Sequence, residues 1–193
     1  MMKTKGVLLL AVLAFVIIFT NAAITGAQQV PPRGVKIAPA PQTKPGSWWA
    51  LKMWDVNLME LMVTERLSKT GMWSLFTDLD HEVTFWSEHS PFLSFYSFPL
   101  WEGKKWKVSL KIHFEREELV IDGEAKRWEP LKVHGGSFHA LRIEMEFHPR
   151  SSKLICWYVV EIQHPARCIS LDLGSPWYNF EVVAFDLAKG DTQ

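Results

Sequence analysis

Two stretches of this 193-residue chain leave little freedom in what it can fold into, because both repeat with period two. In the first, Trp106, Val108, Leu110, Ile112 and Phe114 alternate with Lys105, Lys107, Ser109, Lys111 and His113. In the second, Leu141, Ile143, Met145 and Phe147 alternate with Arg142, Glu144 and Glu146. Successive side chains of a strand point to opposite faces, so each stretch has one apolar face and one polar, largely charged face. That is the pattern of a half-buried antiparallel strand. Each inward side chain stabilises by ~1.5–3 kcal/mol on full burial.

The second stretch follows Leu131, Lys132 and Val133, and between them stands Gly135-Gly136. A glycine pair between alternating runs predicts a hairpin turn, since glycine reaches positive φ without a Cβ clash. Phosphate cradling is disfavoured because no helical pattern follows the glycines. Phe138 is out of phase with the Leu141 set, which predicts a bulge just after the turn and a Phe plugging the end of the core. Leu154–Ile162 and Cys168–Leu173 read as strands around a turn at His164-Pro165. Gly174-Ser175-Pro176 breaks the chain before a last strand over Trp177–Leu187. Upstream, Met72–Phe76 and Val83–Trp86 read as short strands, and Phe92–Phe98 is an aromatic run ended by Pro99. Ser47–Leu67 fits a helical stripe (Leu51, Trp54, Leu58, Leu61, Met62) as well as alternation. The strand-rich neighbourhood favours two strands with a turn near Asp55–Asn57.

At the N-terminus, Lys3 and Lys5 precede an unbroken apolar run from Val7 to Phe19, and Thr25-Gly26-Ala27 is an acceptable cleavage signal. Residues 1–27 are read as a secretory signal peptide, with an uncleaved inner-membrane anchor over residues 7–24 as the alternative. The expected location is periplasmic or extracellular. Residues 28–46 carry Pro31, Pro32, Pro39, Pro41 and Pro45 and are expected to be an extended tether that buries little. The domain then spans residues 47–187, and 188–193 form a tail. Cys156 and Cys168 lie in the exported part, where a disulfide is permitted. Their runs face each other if the chain turns near Ile162. The alternatives are a bridge and two buried thiols.

Several short signatures then line up in order: Phe98-Pro99-Leu100-x-x-Gly103-Lys104-x-Trp106; Val133-His134-Gly135-Gly136-Ser137-Phe138-x-Ala140-Leu141-x-Ile143; Trp157-Tyr158; and Glu181-Val182-Val183-Ala184-Phe185. This order resembles a group of uncharacterised bacterial envelope domains. Their usual pattern is F-P-L-x-x-G-x-x-W, V-P-A-G-T-F-x-A-x-x-I, W-Y-A-P and a final strand. Pro45-Gly46-Ser47-Trp48 looks like the opening G-D-x-W-x-Y strand of the same group. The resemblance covers roughly Gly46 to Leu187. It implies a curved antiparallel sheet, similar in shape to the half-barrels of lipoprotein carriers, in an envelope compartment. It supplies no catalytic residues. The chain departs from the pattern at His134, where proline is usual, and at Val159-Val160, in place of Ala-Pro.

No catalytic or phosphate-binding signature occurs. Formal charge is balanced, which argues against a nucleic-acid partner. His81, His134 and His139 read as surface histidines, and Asp78, Asp80 and Glu82 as a solvated loop, so neither a metal nor another cofactor is expected. Ten Trp is far above ordinary usage. Trp106 and Trp157 are in phase with core residues. Trp48, Trp54, Trp73, Trp86 and Trp101 are candidates to line a concave apolar groove for a lipid or other apolar small molecule. The sequence therefore predicts an all-β, single-domain half-barrel without enzymatic activity. Its alternatives are a structural or protein-interaction module holding an envelope protein, and an unrecognised hydrolase or carbohydrate binder. Membrane contact is expected only through the N-terminal segment, if it is uncleaved.

Overall fold

The computed structural model describes residues 22–25, 29–54, 60–77, 82–85, 90–111, 118–149, 152–171 and 179–188. The alternation is realised as antiparallel pairing throughout. The strands are β1 (Ala22–Thr25), β2 (Ile37–Ala38), β3 (Trp48–Trp54), β4 (Glu60–Leu67), β5 (Trp73–Thr77), β6 (Glu82–Phe85) and β7 (Leu100–Trp101). They continue with β8 (Lys105–Lys111), β9 (Glu118–Val133), β10 (Gly136–His148), β11 (Ser152–Val159), β12 (His164–Ser170) and β13 (Asn179–Asp186). Eleven of them form one open sheet in the order β1-β8-β9-β10-β11-β12-β13-β3-β4-β5-β6, and β2 pairs with β7.

The ambiguous segment is two strands: β3 and β4 pair from Trp48↔Arg66 to Trp54↔Glu60. Trp49, Leu51 and Met53 are buried on one face, in phase with Leu61, Val63 and Leu67 across the ladder. The Asp55–Asn57 turn lies outside the described residues, as do Ile112–Glu117, Gly174–Pro176 and Trp177.

The β9–β10 hairpin is longer than the alternating runs suggest. Its loop is His134-Gly135, with Val133 paired to Gly136. Positive φ falls on Gly136, at +146°, and not on Gly135. Gly135 is required for a different reason. A Cβ there would stand 2.9 Å from the carbonyl oxygen of Val182, to which the Gly135 amide donates at 2.9 Å. The hairpin tip thus rests on β13, and His134 contacts the Glu181 carboxylate there. The phase change also lies further on than expected: Ala140 and Leu141 are both buried, and the register shifts between Arg142 and Ile143. Phe138 sits over Gly136 and meets Phe185, both rings partly buried against the core.

Three further expectations are corrected. His164 and Pro165 belong to β12, and the turn before them ends at Gln163, whose φ is 54°. Trp157 is out of phase with its buried neighbours Cys156 and Tyr158, and its indole N–H donates to Glu129 Oε1 at 2.6 Å. The proline-rich stretch is extended, but it is held along the fold. Ala38 is fully buried, β2 pairs with β7, and Lys36 Nζ lies 3.8 Å from the Trp128 ring centroid. Cys156 and Cys168 are directly opposed across β11 and β12 and form a disulfide, with Cα atoms 4.1 Å apart.

Candidate functional site

One face of this sheet is apolar, and an apolar face needs a cover. Among the described residues the cover is neither a second large sheet nor a set of α-helices. It is the aromatic run itself. Ser90 caps a short 3-10 turn, Pro91–Leu93, accepting at Oγ from the Phe92 amide. The chain then crosses the sheet over four strands. Phe92 packs edge-on against His164 of β12 and Phe180 of β13, and Phe95 against Phe147 of β10. Tyr96 and Phe98 stack on each other and meet Tyr158 of β11.

Two donors fasten this segment. The Trp106 indole N–H donates to the Phe95 carbonyl at 2.7 Å. Lys104, almost entirely buried, donates its ammonium to the carbonyls of Ser97 and Pro99, the latter at 2.8 Å, and lies 4.7 Å from the Trp101 ring centroid. Burial holds its pKa below the ordinary lysine value. The F-P-L-x-x-G-K-x-W signature is therefore the hardware that fixes this cover: Trp106 and Lys104 are its two clamps.

Beneath Phe92 is a polar pair. Glu65 and His164 are each 0% exposed, with His164 Nε2 and Glu65 Oε2 2.9 Å apart. His164 Nδ1 is 2.7 Å from the Pro165 carbonyl, which can only accept, so Nδ1 carries a proton. One further proton must lie between Nε2 and Oε2. The pair is then either imidazolium–carboxylate or imidazole–carboxylic acid, and in both forms its net charge is zero. Trp49 stacks on the imidazole at 5.3 Å, and its own N–H donates to the Ile162 carbonyl. Two buried polar atoms at the covered face have no partner among the described residues: Glu65 Oε1 and the Tyr96 hydroxyl. Burial raises the Tyr96 pKa, with the neighbouring Tyr158 adding to it.

The groove candidates do not come together. Trp73 is 1% and Trp101 4% exposed; both are interior side chains, Trp73 stacked on Trp49 at 6.0 Å. Trp48 and Trp54 occupy the opposite, half-buried face of β3. Trp86, His81, Asp78 and Asp80 lie outside the described residues. Trp73 and Trp101 fill interior space rather than line an open concavity. Sequence reasoning missed Glu65 and His164. The signal for Glu65 was available: it shares the phase of Leu61, Val63 and Leu67, where a charge is out of place.

The other face is charged. Lys105, Asp122, Glu124, Lys126, Glu144, Glu146 and Lys153 ring a shallow cleft of about 420 Å³ across β8–β11, with Leu171 at its rim. Lys107 reaches Asp122 at 3.2 Å, and Lys126 reaches Glu124 at 2.6 Å. The first joins β8 to β9 and the second lies within β9; both are solvent-accessible pairs of small energetic weight. Among the described residues no group of three or more His, Cys, Asp or Glu side chains could hold a metal ion. No described helix is long and apolar enough to cross a membrane.

No family model matches this chain, and no curated protein does. A solved structure from Bacteroides fragilis NCTC 9343, whose description takes it to be an exported protein of YmcC-like fold, is similar to 77% of this chain and 99% of its own. The two share a TM-score of 0.46 and 10% identity.

Proposed function

We propose that this is an exported, non-enzymatic cell-envelope protein that takes an apolar ligand, an acyl chain first of all, on the sheet face its own Ser90–Trp101 segment covers. The leader-like N-terminus supports export with cleavage near Ala27. The observation that carries the ligand reading is the nature of the cover. It is an irregular segment bearing Phe92, Leu93, Phe95 and Tyr96, and at its start three backbone hydrogen bonds run back to itself: Leu93 to Ser90, Ser94 to Pro91 and Tyr96 to Leu93.

Magnitudes favour exchange. Lifting Phe92, Leu93 and Phe95 off the sheet costs roughly 5–9 kcal/mol, at ~1.5–3 kcal/mol per side chain. An acyl chain recovers ~0.8 kcal/mol per buried methylene, so roughly six to eleven methylenes balance the loss. The unpartnered Tyr96 hydroxyl tips the exchange further, because in water it regains a hydrogen bond worth ~1–3 kcal/mol of avoided desolvation. A ligand able to donate a hydrogen bond would also meet Glu65 Oε1.

The test is native mass spectrometry of protein purified from the envelope fraction, followed by tryptophan fluorescence on titration with palmitate. Co-purifying acyl species and a saturable spectral change are expected. Lys104→Met loosens the cover and should tighten palmitate binding severalfold. No bound lipid and no spectral change would remove the ligand reading. Unchanged affinity in Lys104→Met would show that binding, if seen, lies elsewhere.

A further inference from the structure

β1 and the proposed processing are in conflict, and the conflict points to a binding slot. β1 pairs with the outer edge of β8, from Ala22↔Leu110 to Thr25↔Lys107. Cleavage near Ala27 belongs to the proposed function, and the slot depends on it, because that cut removes the whole of β1. The edge of β8 is then left with unpaired backbone donors and acceptors, which is a template for strand addition. That this edge accepts a strand is already visible in its pairing with β1.

We infer that in the processed protein the freed edge of β8 docks an extended segment of a partner protein in which apolar and acidic residues alternate. Antiparallel partners directly opposite share a face, so the residue types wanted can be read from β8. Trp106 and Val108 are buried on the core face and call for apolar partners. Lys105 and Lys107 stand on the other face, their side chains 71% and 52% exposed. On the inner side they already face acids: Glu124 opposes Lys105 and Asp122 opposes Lys107. The same complement is missing on the outer side, where β1 offers uncharged Thr25 to Lys107. A second copy is the wrong occupant. Pairing β8 with itself would set lysine rows side by side, the arrangement edge strands use to prevent self-association.

The experiment compares two chains, one beginning at Gln28 and one at Asn21, which retains β1. Each is titrated against a fluorescein-labelled nonapeptide of alternating valine and glutamate, and against its valine–lysine counterpart, by anisotropy. The Gln28 chain should bind the glutamate peptide at least tenfold more tightly than the lysine peptide. The Asn21 chain should bind it at least tenfold more weakly than the Gln28 chain. Lys105→Glu with Lys107→Glu, checked for folding by circular dichroism, should reverse the peptide preference. Absent binding, equal binding by both chains, or no charge preference each overturns the inference. N-terminal sequencing of the exported protein tests the premise by itself: a retained leader overturns the inference with it, whereas failure of palmitate binding touches neither.

Discussion

Glu65 stands where β4 asks for an apolar side chain, and the fold accepts it only because His164 meets it across the core. What holds the pair is the matching of donors to acceptors and not charge as such. Glu65→Gln keeps a donor facing His164 Nε2 while Nδ1–H still donates to Pro165, so the loss should be under ~1.5 kcal/mol. Glu65→Ala leaves the imidazole buried and unmatched, and breaking a buried pair this way costs ~3–5 kcal/mol. Urea unfolding of the two variants checks this; equal losses would show that packing, not pairing, sets the cost. Glu129 makes a second prediction at this scale. The Trp157 indole N–H, with Arg127 adding to it, holds its carboxyl below the ordinary 4.5. A depressed carboxylate contributes stability above its unfolded value and loses it as pH falls through the lower folded value. Glu129→Gln should therefore be less stable than the parent at neutral pH. The difference should shrink as pH drops below about 4.5, followed by thermal melts across that range.

Among the elements, the strands most legible in the sequence were those whose two faces differ most. β8 and β10 alternate cleanly, and β3 and β4 followed once a strand neighbourhood was established. β9 was legible only at its end. Its stretch from Glu118 to Pro130 carries Asp122-Gly123-Glu124 and Lys126-Arg127, which read as loop in one dimension. In the sheet Glu124 and Asp122 sit across from Lys105 and Lys107, and Gly123 lies opposite Trp106. The indole covers the glycine so closely that a Cβ there would stand 2.3 Å from a ring atom. The strand is specified by its neighbours, which a single chain pattern does not display. The interior places of Trp73 and Trp101 were illegible for a related reason: a tryptophan's phase places it on a face, but the sequence does not say that Phe92–Phe98 will fold back over that face. Gly123→Ala should displace Trp106, break its hydrogen bond to Phe95 and destabilise by ~1–3 kcal/mol through overpacking, visible as a changed near-ultraviolet dichroism. The disulfide is an element-scale staple of the β11–β12 hairpin. With a separation of 12 residues, its reduction should cost ~3 kcal/mol in the chain-entropy model, read from urea midpoints with and without reductant.

The whole molecule has a seam. Among the described residues β12 and β13 pair only at Arg167↔Glu181 and Cys168↔Phe180, whereas β13 pairs with β3 along seven register positions. The sheet is thus two ladders, β1 with β8–β12 and β13 with β3–β6, joined by a short one. Other contacts cross the join, among them the buried Glu65–His164 pair, Trp49 stacked on His164, Phe92 against both His164 and Phe180, and the hairpin tip resting on β13 through Gly135, His134 and Phe138. The tip reaches β13 because β10 outruns its partner: β11 stops opposite Leu141, and the remainder of the hairpin extends beyond β11 to reach β13. Local opening should begin where the ladder is thinnest. Gly135→Val drives a side chain toward the Val182 carbonyl and lifts the tip. Hydrogen exchange should then accelerate in β13 and β3 by at least tenfold, while β9 and β10 below the tip remain protected. Uniform acceleration across both ladders would mean that the sheet opens as one unit, and that the tip is an ornament of the hairpin and not the clasp between its two halves.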